Sequence, residues 1–203
     1  MVVIGILGLQ GDIRFHEDIL KTMFHKLDIK DGEIVIVKKS KDMENIDGII
    51  IPGGESTVIG VLTKKIGLFD DLKDKITNGL PTLGSCAGLI FLSNQVSDRI
   101  VKQVNQPILK VLNVTTERNT FGGQKESFEA DVKISGFSDI PFKGVFIRAP
   151  TIKEVNSGVE ILSRFDDKII AVKQNNIIAL SFHPELSNDT RIHEFFLEMI
   201  NKN

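Results

Sequence analysis

Short apolar runs rich in β-branched residues alternate with helical patterns in the first half of this chain, and this alternation constrains its fold more than any other feature. The runs occupy residues 2–7, 33–37, 48–52 and 81–83, and helical spacing of apolar residues covers 13–27, 57–62 and 68–76. Strands that are apolar along their whole length are buried on both faces, as in parallel sheets whose connections are helices. We therefore predict a parallel sheet with a helical layer on each side.

The pattern changes after residue 92. Six segments there are strand-like with few helical interludes, namely 108–114, 128–134, 144–147, 159–165, 169–172 and 177–182. This half predicts an antiparallel or mixed extension, closed by a helix over 189–200 with Ser187 or Asn188 as its N-cap. The predicted fold class is α/β, a three-layer, mostly parallel open sheet with helices on both faces and that extension in the C-terminal half. No linker or repeat divides residues 1–203, which predicts a single domain.

The only cysteine lies where the fourth apolar run turns into a new helical stretch. Cys86 is flanked by Gly84 and Gly88, and residues without Cβ fit where a tight strand-to-helix elbow crowds the backbone. A nucleophilic thiol needs a partner that takes its proton, which His183 can do, and Glu185 can orient the imidazole. A lone cysteine among apolar residues is more often a small buried hydrophobe. The two flanking glycines and the distant His-Pro-Glu segment favour instead a triad of Cys86, His183 and Glu185.

Loops after three predicted strands should meet at one edge of the sheet. These are the loop that begins at Gly53, the elbow at Cys86 and the segment that ends at His183. In open parallel sheets, ligands bind beyond the carboxyl ends of the strands. We therefore expect one cleft to contain all three segments.

The segment Pro-Gly-Gly-Glu-Ser-Thr at 52–57 follows a strand and precedes a helix. Its backbone N–H groups are free to face a developing negative charge, as an oxyanion hole requires, and the N–H of Ala87 could be a second donor. The alternative is a plain Gly-Gly turn in which Glu55 or Ser56 caps the helix.

Two arginines lie in turn-like or apolar surroundings. Arg118 begins an Arg-Asn-Thr-Phe-Gly-Gly segment, and Arg148 lies in Phe-Ile-Arg-Ala-Pro. A guanidinium binds a carboxylate bidentately, so either could hold the α-carboxylate of an amino-acid substrate. Solvation at the surface is the ordinary alternative for each.

The remaining histidines are His16, His25 and His193, on predicted helices. A helical histidine with acidic neighbours is typically a solvated surface group. No group of His, Cys, Asp and Glu has metal-ligand spacing, so we predict neither a metal nor a cofactor.

Charge and cysteine content exclude some classes of protein. With 25 Lys and Arg against 27 Asp and Glu, the net charge of −2 argues against a nucleic-acid or anionic-membrane partner. A single cysteine forms no internal disulfide, and the N-terminal apolar run is too short to span a bilayer and has no basic leader. We therefore expect a cytoplasmic location, where the reducing environment suits a free thiol.

Six segments, in order along the chain, resemble the class I glutamine amidotransferases, whose triad is Cys-His-Glu on an α/β sheet. They lie at 5–11, 52–57, 84–88, 118–128, 147–150 and 181–186. Within that class they are most similar to the glutaminase subunits of the two-component pyridoxal 5′-phosphate synthase, since the first and fourth segments mark this branch. Two positions depart from the branch: Ser85 stands where it usually has threonine, and Phe15 where an acidic residue usually precedes His16.

The resemblance implies that Cys86 is the nucleophile, His183 the base and then the acid, and Glu185 the orienting group. It implies an oxyanion hole formed by Gly54 and Ala87. The glutamine pocket would be lined by Gly54, Glu55, Ser56, Arg118, Ile147 and Arg148.

The implied reaction is hydrolysis of L-glutamine through a γ-glutamyl thioester. The ammonia would pass to a (β/α)8-barrel pyridoxal 5′-phosphate synthase subunit in a hetero-oligomer, which combines it with a pentose phosphate and a triose phosphate. Three alternatives stay open. They are a glutaminase that feeds another synthase, such as one making imidazole glycerol phosphate, a free-standing cysteine hydrolase, and a catalytically silent scaffold.

Overall fold

The computed structural model describes residues 1–98, 102–103, 105–118, 120, 127–137 and 139–202. Its first half alternates strands and helices in the order β1 (Val2–Leu7), α1 (Ile13–Lys26), β2 (Gly32–Val37), β3 (Gly48–Ile51), α2 (Ser56–Lys65), α3 (Phe69–Thr77), β4 (Thr82–Ser85) and α4 (Ala87–Leu92). A 3₁₀ turn over Ser40–Met43 follows β2. These bounds agree within a few residues with the elements predicted from the alternating apolar runs.

The second half consists mainly of strands. They are β5 (Ser93–Asp98), β6 (Lys102–Gln103), β7 (Leu112–Arg118), β8 (Ser127–Val132), β9 (Phe142–Ile147), β10 (Thr151–Val155), β11 (Glu160–Phe165), β12 (Lys168–Gln174) and β13 (Ile177–Leu180). A 3₁₀ turn over Pro184–Leu186 and the helix α5 (Arg191–Ile200) complete the described chain.

Eleven of the described strands form one sheet. Its parallel part has the order β2, β1, β3, β4 and β13. The sheet continues through β12, β10, β7, β5 and β6, where neighbours are antiparallel apart from the parallel pair of β5 and β7; β11 pairs with β12. The strands β8 and β9 form a separate antiparallel sheet. The predicted α/β class, with its mostly parallel sheet and antiparallel extension, is confirmed.

Helices cover both faces of the parallel part because successive side chains of a strand point to opposite faces. In β1, Val3 and Leu7 belong to one apolar core, together with residues of α2, α3 and α4. Ile4 and Ile6 belong to the other core, with residues of α1 and α5. All four side chains are buried. Burial of each such side chain stabilises the fold by about 1.5–3 kcal/mol, so one strand anchors both helical layers.

The parallel order brings the three predicted loops to one edge of the sheet. The strands β3, β4 and β13 are neighbours and run in the same direction, with Ile51 opposite Gly84 and Leu180 opposite Ser85. Their carboxyl ends lead into the loop at Gly53, the elbow at Cys86 and the segment at His183. This arrangement positions the candidate site.

The predicted start of the last helix is wrong in detail. The helix α5 begins at Arg191 with Thr190 as its N-cap, instead of Ser187 or Asn188. The Ser187 hydroxyl donates a hydrogen bond to the Pro184 carbonyl at 2.8 Å, so the preceding 3₁₀ turn uses the side chain that was expected to cap the helix.

The sequence analysis did not predict three strands, namely β5, β10 and the two-residue β6. Residues 93–98 read Ser-Asn-Gln-Val-Ser-Asp and contain no apolar run, so their pairing depends on β7 next to them.

Residues 119 and 121–126, part of the segment at 118–128 that resembles the amidotransferase branch, lie outside the described residues. That residues 1–203 form a single domain stays a prediction. Within the described part of the chain, no helix is long and apolar enough to cross a membrane.

Candidate active site

The elbow between β4 and α4 holds Cys86 in a strained backbone conformation. Its φ is 48° and its ψ is −99°, and such sparsely populated conformations cost about 1–3 kcal/mol. Gly88 lets α4 approach β3 closely, because a Cβ there would lie 2.2 Å from the carbonyl oxygen of Ile51. The Cys86 thiol contacts the carbonyl oxygen of Ile147 at 3.9 Å. The turn thus holds the sulfur at the carboxyl edge of the sheet, as predicted from the flanking glycines.

One ring nitrogen of His183 contacts two carboxylates. Its Nδ1 lies 2.8 Å from Oε1 of Glu185 and 3.3 Å from Oδ2 of Asp12. The backbone N–H of His183 donates to the carbonyl of Val145 at 2.8 Å, which fixes the chain after β13. A Cβ at Gly53 would lie 2.3 Å from Cε1 of the ring, so the loop after β3 must have glycine where the imidazole passes.

The surroundings of His183 favour its protonated form. Burial opposes the charge, but hydrogen bonds with Asp12, Cys86 and Glu185, together with the charge of Cys86, raise the pKa of His183 to about 12. A histidine beside the sulfur can hold the proton of the thiol, as a cysteine nucleophile requires. Burial likewise opposes ionisation of Glu185, yet its neighbours His16 and His183 lower the pKa of this carboxyl below its ordinary value. The three predicted triad residues therefore lie together with charges that suit nucleophilic chemistry.

Asp12 is expected to support the charge of the imidazole. Replacing Asp12 by asparagine removes a negative charge 3.3 Å from Nδ1, so the pKa of His183 should fall by ~1 unit or more. The hydrolysis that the resemblance implies would then decline as the pH rises through this lower pKa, because a neutral imidazole has no proton to give to the leaving group. NMR titration of the His183 ring measures the change. Asp18→Asn, at an exposed position of α1, is the matched control, and an unmoved His183 pKa in Asp12→Asn would contradict this role.

A cleft of about 290 Å³ opens above these residues. Its size is near the lower end of the range of small-molecule sites, about 300–1,000 Å³. It is lined by Gln10, Asp12, Gly54, Glu55, Ser56, Cys86, Ala87, Ile90, Arg118, Ile147, Arg148 and His183. Every predicted site residue reaches this cleft except Glu185, which is buried behind the imidazole.

Arg118 is fixed at the cleft by the loop after β3. Its guanidinium donates to Oε1 of Glu55 at 3.3 Å, to the Thr57 hydroxyl at 3.1 Å and to Oε1 of Gln106 at 2.7 Å. Gln106 also contacts the Ser56 hydroxyl. Arg118 is therefore a positioned cation in the cleft, and the alternative of ordinary surface solvation is wrong for it.

Loss of Arg118 is expected to weaken substrate binding more than it slows the chemical step. A hydrogen bond to a charged group contributes about 1.5–3 kcal/mol, so Arg118→Ala should raise the KM for glutamine by about 10–100-fold and change kcat much less. Arg164→Ala, which removes an exposed arginine from β11, is the control in the same steady-state assay. An unchanged KM in Arg118→Ala would contradict a role in the glutamine pocket.

The loop at 53–57 contains the helix cap that was one of the two alternatives, while an oxyanion hole in this loop stays a prediction. Glu55 caps α2, because its carboxylate accepts hydrogen bonds from the N–H groups of Thr57 at 3.1 Å and Val58 at 2.7 Å. The N–H of Glu55 donates to Oε1 of Gln10 at 2.7 Å. Gly54 has a φ of 151° and lines the cleft together with Ala87. The helix cap is thus present, and both predicted oxyanion donors lie at the cleft.

The prediction for two of the other histidines is wrong. His25 is exposed as expected, but His16 and His193 are completely buried. The sequence contains a signal for this: His16 lies three and four residues before Ile19 and Leu20, on the apolar face of α1. His193 has the same relation to the apolar residues of α5. Acidic neighbours in sequence were a poor guide, because adjacent residues of a helix face different directions.

Sequence reasoning also missed Gln10, Asp12 and Gln106 as parts of the site. Asp12, His183 and Glu185 are the one group of described residues whose side-chain ligand atoms could together hold a metal ion. The Nδ1 atom of His183 is already hydrogen-bonded to Glu185. The absence of a metal or a cofactor therefore stays a prediction.

Comparisons with known proteins give one consistent result. The profile of the SNO glutamine amidotransferase family matches residues 6–202. The chain is 49% identical over 201 residues to the pyridoxal 5′-phosphate synthase subunit PdxT of Pyrococcus furiosus, across 98% of this chain and 100% of that one. It is 46% identical over 203 residues to the protein of the same name from Staphylothermus marinus, across 98% of each. A solved structure of a glutamine amidotransferase has a TM-score of 0.85 and 41% identity, with 98% of both chains covered.

Proposed function

The chain belongs to the SNO glutamine amidotransferase family, and we propose that it hydrolyses L-glutamine to L-glutamate and ammonia with Cys86, His183 and Glu185 as its catalytic triad. The observation that carries this proposal is the buried contact of 2.8 Å between Nδ1 of His183 and Oε1 of Glu185, beside a cysteine at a strained elbow. A buried imidazole and carboxylate in contact with a thiol form the arrangement that activates a cysteine nucleophile.

In the first half of the proposed reaction, the Cys86 thiolate attacks the side-chain carbonyl carbon of glutamine. The N–H groups of Gly54 and Ala87 would donate to the oxyanion of the tetrahedral intermediate. The imidazolium of His183 gives its proton to the leaving nitrogen, so ammonia departs and a γ-glutamyl thioester remains. In the second half, neutral His183 takes a proton from water, the resulting hydroxide attacks the thioester, and glutamate leaves with regeneration of the thiolate.

Substrate binding is proposed to use the polar wall of the cleft. The Arg118 guanidinium, held by Glu55 and Gln106, would bind the α-carboxylate of glutamine. The remaining wall of the glutamine pocket would be formed by Gly54, Ser56, Ile147 and Arg148. The γ-carboxamide would then extend toward the sulfur, which lies at the same cleft.

We further propose that the ammonia serves pyridoxal 5′-phosphate synthesis in the cytoplasm. The support is the identity of the two relatives, each of which is named as a subunit of a pyridoxal 5′-phosphate synthase. The partner would be a synthase subunit with a (β/α)8 barrel, which takes up the ammonia within a hetero-oligomer. Transfer inside a complex would keep ammonia from being lost to solvent.

The test is glutamate release from L-glutamine by the purified chain, with and without the synthase subunit from the same source. We expect strong stimulation by that subunit and formation of pyridoxal 5′-phosphate when both sugar phosphates are supplied. Equal glutamate release without the subunit would instead indicate an independent hydrolase. No release in either case would contradict the proposed function.

A further inference from the structure

A chain of buried polar side chains continues behind Glu185, away from the cleft. The Nε2 atom of His16 lies 3.4 Å from Oε2 of Glu185 and 3.2 Å from the Ser85 hydroxyl. The Nδ1 atom of His16 lies 3.3 Å from Nε2 of His193. His16, Ser85 and His193 are completely buried, and none of them lines the cleft. Substrate contact therefore does not explain two imidazoles in the core.

The direction of the hydrogen bonds in this chain follows from the charge of Glu185. Burial lowers the pKa of both His16 and His193, so each ring is neutral near neutral pH and carries one N–H. An N–H on Nε2 of His16 faces the carboxylate favourably, whereas a lone pair there would repel it. Nδ1 of His16 is then an acceptor, and Nε2 of His193 donates to it. The other titratable groups that act on His16 are Asp12 and His183.

The N–H of His16 is the donor available to Oε2 of Glu185. Its Oε1 is hydrogen-bonded to His183, but its Oε2 is fully buried and has no well-formed hydrogen bond among the described residues. A buried carboxylate oxygen without a donor is costly, and N–H of His16 is positioned to compensate it. The distance of 3.4 Å is long, as catalytic hydrogen bonds often are in ligand-free sites.

We infer that His16 is a positioning residue, which holds Oε2 of Glu185 so that Oε1 stays directed at His183. The inference deepens the proposed glutaminase function and depends on it for its catalytic meaning. His193 in turn orients the His16 ring by donating to its Nδ1. With the proton on Nε2 of His16, the hydroxyl oxygen of Ser85 accepts from the same N–H, so the serine that stands in place of the usual threonine keeps the polar atom that this contact needs.

Two amide substitutions separate this role from a merely structural one. The side-chain nitrogen of glutamine reaches about as far as Nε2 of histidine, so His16→Gln retains a donor for Glu185. The shorter side chain of asparagine reaches only as far as Nδ1, so His16→Asn keeps a polar group near His193 but loses the contact with Glu185. Both variants bury an amide at one site. Met23→Ala, two turns along the buried face of α1, controls for loosened packing of that helix.

The readout is the rate of alkylation of Cys86 by iodoacetamide as a function of pH. Cys86 is the only cysteine, so the rate reports on this thiol without glutamine or a partner. In His16→Asn we expect the rate at pH 7 to fall about tenfold, which corresponds to about 1.4 kcal/mol. The cause is a less firmly held Glu185, which stabilises the His183 imidazolium less well. In His16→Gln and Met23→Ala we expect rates within about twofold of the unmodified chain.

The inference is overturned if His16→Asn and the unmodified chain have equal alkylation profiles. It is also overturned if the alkylation rate falls as much in His16→Gln or in Met23→Ala as it does in His16→Asn. With the synthase subunit present, His16→Asn should lower kcat and leave the KM for glutamine within about twofold, since His16 does not reach the cleft. Failure of the proposed function is distinguishable, because the unmodified chain would then release no glutamate while the alkylation profiles still decide the role of His16.

Discussion

Replacement of Cys86 by alanine is expected to reduce glutamine hydrolysis by at least about 10⁴-fold, the scale of loss when a hydrolase loses its nucleophile. The chain has no second cysteine that could take over the role. The fold should persist, because alanine keeps the same β-carbon at a buried position and removes only the sulfur. Glutamate release in the presence of the synthase subunit measures the loss, and thermal unfolding confirms that the variant is folded.

Cys86→Ser is the matched control for the size of the side chain. A hydroxyl is much harder to ionise than a thiol, so an imidazolium at His183 cannot turn it into a comparable nucleophile. We expect this variant to be nearly as inactive as Cys86→Ala while it still fills the elbow. Glutamate release by Cys86→Ala at even a tenth of the normal rate would rule out the thioester mechanism.

Glu185→Gln is expected to lower kcat by about 10³–10⁴-fold, since loss of the charge of the equivalent carboxylate in a serine-protease triad costs about 10⁴. The amide offers one oxygen and one nitrogen where the carboxylate offers two acceptors. If the amide nitrogen faces His183, it donates to Nδ1, so Nδ1 must be unprotonated and the ring carries its proton on Nε2. This tautomer cannot accept the proton of the thiol at Nε2. If its nitrogen faces His16, that ring must turn its N–H away instead. Both arrangements remove the negative charge 2.8 Å from His183.

The measurement is kcat in the complex together with the pKa of His183 from NMR titration. The pKa of His183, about 12 in the unmodified chain, should fall because one of the groups that raise it has lost its charge. Glu198→Gln on the exposed side of α5 is the control, since Glu198 interacts with Lys202 and not with the site. An unchanged kcat in Glu185→Gln would show that this carboxylate takes no part in the reaction.

Several site features were predictable because their signals are local in the sequence. The elbow at Cys86 needs glycine on both sides, and the Cβ positions at Gly84 and Gly88 show why: each would lie within 3 Å of a neighbouring atom. The cleft itself was predictable from chain order, since parallel strands deliver their carboxyl ends to one edge. The proposed glutamine pocket was inferred instead from resemblance to a family. Arg118 and Arg148 could not be distinguished from surface residues without it.

The helix cap and the polar strands were missed for a physical reason. The Ser187 hydroxyl donates to Pro184 and accepts from the N–H of Asp189, both before α5 begins. The N–H of Arg191, the first residue of α5, donates instead to Oδ1 of Asp189. The strand β5 is polar and pairs with β7, so its conformation is decided by a neighbouring strand rather than by its own apolar period. In both cases, competing partners outweighed the intrinsic preference of the residues.

By itself, the sequence determined the parallel core, the antiparallel extension and the pairing of a cysteine elbow with a His-Pro-Glu segment, because apolar period and backbone crowding act over a few neighbouring residues. Only the tertiary structure decided that Asp12 shares the imidazole of His183 with Glu185, and that His16 meets His193 across a separation of 177 residues. Those contacts depend on how α1 and α5 pack together beside the carboxyl ends of β4 and β13. Burial then turned two histidines that resembled surface residues into neutral hydrogen-bonding groups behind the site.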